Sequence, residues 1–280
     1  MPDLSAQLSR LDTLLEQLPE QREAAASLVH ALIEQDEVLG MRQAVRFDAA
    51  LYGEHTPEVA GSLARLGAAL SRHDAVREAA DTWVEAAKRF ARDGNPVAGR
   101  LLVDAGFAYR TASKPDDAMA AFQRAVQLPQ PPDYPTHKFA LLGYAYIFAT
   151  RDQPEDAMQA CEEGLALPLE GTPDDFAAHA ELWHAVAVLA EAFDAPALEG
   201  YALRAASDLH PDADDTEAYA AALATFEAEH PGVPVVTPDD AQRHVVHVDE
   251  GVTVLAHPVA GLERLPAGPH RVGQALPLPQ

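Results

Sequence analysis

Between residues 57 and 168 one spacing of large and small side chains occurs three times, and a chain with that pattern is confined to stacked helix pairs. In the first copy Leu63, Leu66, Gly67 and Leu70 follow the i, i+3, i+4, i+7 rule that lays an apolar stripe along one helix face. A polar break at residues 72–75 ends that helix. The next one sets Ala79, Trp83 and Ala86 at i, i+4, i+7, two small residues flanking one ring. Small side chains let the paired helices approach, and the ring fills the space between them. The arrangement returns 39 residues on from Gly67, with Leu102, Ala105, Gly106 and Tyr109, then Ala118, Phe122 and Ala125, then Pro129. It returns again 37 residues after Gly106, with Phe139, Leu142, Gly143 and Tyr146, then Ala157, Cys161 and Gly164, then Pro168.

These positions resemble the tetratricopeptide repeat, whose consensus reads W-x2-L-G-x2-Y, then A-x3-F, then P. A fourth copy opens with Trp183, Val186, Ala187 and Ala190, where alanine replaces both glycine and tyrosine, and closes at Pro211. The segment LYGEHTPEVAGSLARLGAAL, residues 51–70, is similar to the linker and first helix of kinesin light chain-type repeats, and spacings of 39, 37 and 44 residues fit that longer form. The resemblance covers residues 20–211. It implies an all-α, right-handed helical-repeat solenoid, with the first helix of each pair lining a groove that receives a peptide or a partner helix.

Upstream, Leu4, Leu8, Leu11, Leu15 and Leu18 form a helical stripe with Asp3 as N-cap and Pro19 as the stop. Two more helices are expected near 20–35 and 38–52, which makes residues 1–56 a helical cap or a degenerate repeat. Residues 57–232 hold the repeats and a last helix over 213–230. From residue 233 to 280 proline, glycine and valine dominate, and HVVHV-DEG-VTVLAH reads as a small C-terminal β-hairpin. An isolated hairpin is marginal, so it is expected to pack on the last helices or to pair with a second copy through its open edge.

Charge restricts the partners. The chain has 20 Lys and Arg against 44 Asp and Glu, a formal charge of −24. Such a surface repels nucleic acid and anionic membrane, whose binding needs cations to release counterions. One cysteine makes no internal disulfide, the N-terminus lacks the basic and apolar regions of a secretory signal, and no run of apolar residues is long enough to span a bilayer. A soluble cytoplasmic protein is the expectation.

Enzyme motifs are missing, and the near-misses fail on geometry. In the run from His179 to His184 the two histidines are five apart, roughly 140° around the helix, and cannot share the zinc of an H-E-x-x-H site. Glu181 and His184 have the E-x-x-H spacing of di-iron bundles, but such a site needs a second pair and two more carboxylates. His244 and His247 point to opposite faces of their expected strand. Cys161 takes the large-residue position of a repeat, where a thiol acts as a small hydrophobe. There is no glycine-rich phosphate loop. No catalytic residue, cofactor or metal is expected.

Charge is also uneven along the chain. Residues 57–150 hold 11 basic against 10 acidic side chains, net +1, and residues 151–232 hold 2 against 19, net −17. Carrying the family's groove onto these helices puts Arg65, Ala68 and Arg72, then Arg100, Val103, Phe107 and Arg110, then His137, Ala140 and Tyr144, then His184 on the open side. Arginine binds carboxylates in bidentate fashion, and Phe107 or Tyr144 can hold an apolar side chain beside it. The expected function is a non-catalytic scaffold or adaptor for an acidic or carboxylate-ending peptide. The plainer reading is that these arginines pair with neighbouring acids such as Asp104 in solvated ion pairs. Three other readings remain open: a peptide-responsive regulatory sensor, a histidine-dependent metal protein built on the tail, and self-assembly through the hairpin edge.

Overall fold

The computed structural model describes residues 3–18, 20–129, 134–169, 171–209 and 213–233, and the side chains of residues 213–216 are not described. The expected hairpin and the tail histidines His244, His247, His257 and His270 lie outside the described residues. Within them the chain is all-helical. The twelve helices among the described residues are α1 (Leu4–Glu16), α2 (Arg22–Gln35), α3 (Glu37–Tyr52), α4 (Pro57–Arg72), α5 (Val76–Arg92), α6 (Val97–Thr111), α7 (Pro115–Ala125), α8 (Thr136–Thr150), α9 (Pro154–Ala166), α10 (Pro173–Ala192), α11 (Pro196–Leu209) and α12 (Ala213–Glu229). They fall into two compact units, residues 1–131 with α1–α7 and residues 132–280 with α8–α12. Inside each unit consecutive helices pack against one another, an arrangement compatible with a helical repeat.

Local signals set the boundaries. Asp3 caps α1 by accepting the Ser5 N–H at 3.0 Å, and Asp36 caps α3 by accepting from Leu39 at 2.9 Å. Proline opens α4, α7, α9 and α10, where its fixed φ suits the first turn and its missing N–H costs nothing. Helices α4, α6, α8 and α10 all end in the same way. Asp74, Ser113, Asp152 and Asp194 take left-handed φ values of 58°, 57°, 58° and 53°. The next N–H then reaches back five residues: Ala75 to Leu70 at 2.9 Å, Lys114 to Tyr109 at 2.8 Å, Gln153 to Phe148 at 3.0 Å and Ala195 to Ala190 at 2.9 Å. This closure satisfies orphan carbonyls and reverses the chain into the second helix of each pair. Aspartate tolerates the left-handed conformation better than most residues.

Rings seated on glycines join the helices of a pair. A Cβ on Gly67 would lie 2.6 Å from the Trp83 ring, and one on Gly106 would lie 2.5 Å from Phe122. The Trp83 indole also donates to the Ala64 carbonyl at 3.1 Å, so the half-buried ring is fixed in place. In the second unit a Cβ on Gly164 of α9 would lie 2.7 Å from the Leu182 side chain of α10, and one on Gly200 of α11 would lie 2.5 Å from the Phe226 ring of α12. The pair α10–α11, where alanine stands for the glycine, uses an edge-to-face contact of Trp183 with Tyr201, centroids 5.2 Å apart. In α1 the stripe buries Leu11 and, beside it, Leu14, while Leu4 is exposed.

Gly106→Ala is expected to destabilise the chain by about 1–3 kcal/mol, because its methyl group collides with a ring that has no room to retreat. Gly61→Ala, in α4 with open space around the site, is expected to stabilise it by about 0.5–1 kcal/mol. Urea denaturation of the two variants checks this, and a change of the same sign in both contradicts the seat.

Candidate functional site

The residues expected on the open side belong to both units, and each unit presents its own set. In the first unit Arg65 and Arg100 are exposed, and Phe107 and Arg110 are half-buried. Arg65 donates to Ser62 Oγ at 2.9 Å, and the buried Ser62 donates to Asp48 of α3, which holds the Arg65 guanidinium back against its own helix. Arg72 pairs with Glu37 of α3, and hydrogen bonding to its guanidinium holds the Glu37 carboxyl below its ordinary value. The plainer reading of the sequence therefore describes Arg72. Arg110 lies with its guanidinium carbon 5.7 Å from the centre of the Phe107 ring, within cation–π range, and Phe107 meets Phe122 edge to face at 5.1 Å. Burial pushes the Asp104 carboxyl up to about 6, against the pull of Arg100. Val103 is fully buried and Ala68 half-buried: α6 runs between α5 and α7, and its apolar side chains turn into those contacts.

In the second unit His137, Tyr144 and His184 are half-buried, and Ala140 is fully buried against the same logic. Tyr144 tilts against Phe148, centroids 6.3 Å apart, and His184 of α10 against Tyr219 of α12 at 5.2 Å. Burial lowers the proton affinity of His184, with Glu181 opposing, so the imidazole stands neutral and ring-like at neutral pH. One turn before it Glu181 accepts two phenols, Tyr146 of α8 at 3.3 Å and Tyr219 at 2.6 Å. The charge segregation read from the sequence thus places a carboxylate, not an arginine, beside His184.

Two features of this unit escape sequence reasoning. Lys138 and Asp175 form an ion pair buried to 3% and 2% exposure. The Lys138 ammonium also donates to the Pro168 carbonyl at 2.9 Å, and the second Asp175 oxygen accepts from the Gly171 N–H at 3.4 Å. A single lysine thereby ties α8 to the α9–α10 linker and the first turn of α10. The available signal was a lone charge inside THKFALLGYAYIFAT, the apolar α8. The second feature is His179, where burial above all, with Lys138 nearby, drives the imidazole down to about 4. Cys161 is buried and its thiol is pushed up to about 12, so it stays protonated.

Among the described residues no group of three His, Cys, Asp or Glu is placed to hold a metal ion, and no helix is long and apolar enough to cross a membrane. No protein-family model matches this sequence, and no curated protein matches it either.

Lys138→Met is expected to cost about 3–5 kcal/mol, because it leaves the Asp175 charge buried and alone. Adding Asp175→Leu to it is expected to recover a large part of that loss, since the stranded charge is then gone as well. Denaturant midpoints of the two variants test the pair, and a double variant no more stable than the single one contradicts it.

Proposed function

We infer that this chain is a non-catalytic protein-interaction scaffold of the tetratricopeptide type, a right-handed solenoid whose first helices line a peptide-binding groove. The observation that supports the reading is the ring seated on glycine at the consensus positions of two successive pairs, Trp83 on Gly67 and Phe122 on Gly106. Compositional chance does not place both the residues and their contact. The shared left-handed closure after α4, α6, α8 and α10 adds a backbone regularity to it. One buried cysteine asks for no oxidising compartment, which agrees with work in the cytoplasm.

In the first unit the ligand contacts fall to Arg65 and Arg100, with Arg110 and Phe107 forming a cation–π platform beside them. Guanidinium groups of this kind select carboxylates, so the partner segment is an acidic peptide or one that ends in a free carboxylate.

A fluorescein-labelled acidic peptide with a free C-terminal carboxylate is expected to bind the intact chain. The Arg65→Ala, Arg100→Ala double variant is expected to bind it about tenfold more weakly, with helicity unchanged by circular dichroism. Equal affinity in both proteins overturns the arginine-lined groove.

A further inference from the structure

The second unit carries a face of the opposite preference. Helix α10 is buried from Ala178 to Leu189 except along one stripe, where Glu181, His184 and Val188 remain partly open. Ala177 continues the stripe toward the N-terminus and is also partly open. Glu181 is the carboxylate in the middle of this stripe, and its position is fixed. Tyr146 Oη donates to Oε2 and Tyr219 Oη to Oε1, and both tyrosine rings are buried in the packing of α8 and α12.

A carboxylate offers about four acceptor sites, and two phenols fill only half of them. Neutral hydrogen bonds orient the charge without cancelling it. Among the described residues Glu181 forms no ion pair, although the chain pairs the buried Asp175 with Lys138 and the exposed Glu227 with Arg204. The imidazole one turn away is kept neutral by burial, so it supplies a flat ring rather than a counter-ion. An oriented, half-covered carboxylate without a cation is what a ligand cation completes. Long-range charge points the same way, since residues 151–232 hold 2 basic against 19 acidic side chains. That excess accelerates the approach of a positive partner and is weakened by salt.

We propose that the open stripe of α10 is a docking site for a basic segment of a partner protein, which sets a Lys or Arg head group on Glu181 and an adjacent apolar side chain against His184 and Val188. The site does not rest on the arginine-lined groove. It lies in the other unit, takes the opposite charge, and stands or falls by a different peptide.

The test is fluorescence anisotropy of the full chain with a fluorescein-labelled synthetic peptide in which one arginine is flanked by leucines, and with the same peptide carrying citrulline in place of that arginine. The arginine peptide is expected to bind and the citrulline peptide to bind about tenfold more weakly or worse. Glu181→Gln removes the charge and is expected to cause a similar loss, with Tyr219→Phe intermediate because the carboxylate stays but loses a tether. Glu155→Gln, an exposed acid of α9 in the same unit, is expected to leave affinity unchanged. Circular dichroism accompanies each variant. Should Glu181→Gln lose helicity, the citrulline peptide and Tyr219→Phe decide the matter. No binding of the arginine peptide, equal binding of the citrulline peptide, or a loss in Glu155→Gln equal to that in Glu181→Gln overturns the site.

Discussion

Two helices share a core at short range only where one of them gives up a side chain to the other, and this chain does so with a ring set on a glycine. Trp83 on Gly67 and Phe122 on Gly106 leave no space for even a methyl group, so the helices of each pair are held at one separation. Nothing about that contact is long-range in sequence. The helices meet across a turn of a few residues, closed by a left-handed residue and a hydrogen bond reaching back five positions. Each pair is therefore a local unit whose remaining apolar face is covered by the next helix along, which is how stability becomes distributed through a stack.

Once the apolar faces are spent on neighbouring helices, the outward residues are free to differ, and here they differ in charge. In the first unit the open positions carry arginine beside a phenylalanine ring. In the second, α10 carries a carboxylate held by two phenols beside a neutral histidine. Similar helices thus present two chemistries. The buried Lys138–Asp175 pair belongs to the framework rather than to either surface, because its groups are spent on the α9–α10 linker.

Helix identity was legible in the sequence because it depends on periodicity, on proline at the first turn and on polar breaks, all of which are local. The seats of Trp83 and Phe122 were legible in part for the same reason, since the repeat spacing sets Gly67 and Trp83 sixteen residues apart on adjoining helices, whereas Gly164 with Leu182 and Gly200 with Phe226 lie outside that spacing and carried no such signal. Features that join distant segments were not. Lys138 finds Asp175 across 37 positions, and neither residue announces the other. Glu181 and His184 were read by spacing as a failed metal motif, whereas the partners that define Glu181 come from α8 and α12. Val103 and Ala140 show the limit of carrying a face over by position alone: a small apolar side chain follows the nearest packing surface and is buried there.

Pairwise locking makes a prediction about where a defect is felt. Native-state hydrogen exchange, read by mass spectrometry on the intact chain and on Phe122→Ala, measures it helix by helix. The account predicts that protection falls most in α6 and α7, less in the adjoining α5, and least in α1 to α3. A loss of equal size in every helix from α1 to α7 would contradict it, and would mean that this unit is held by one global core rather than by a ring in each pair.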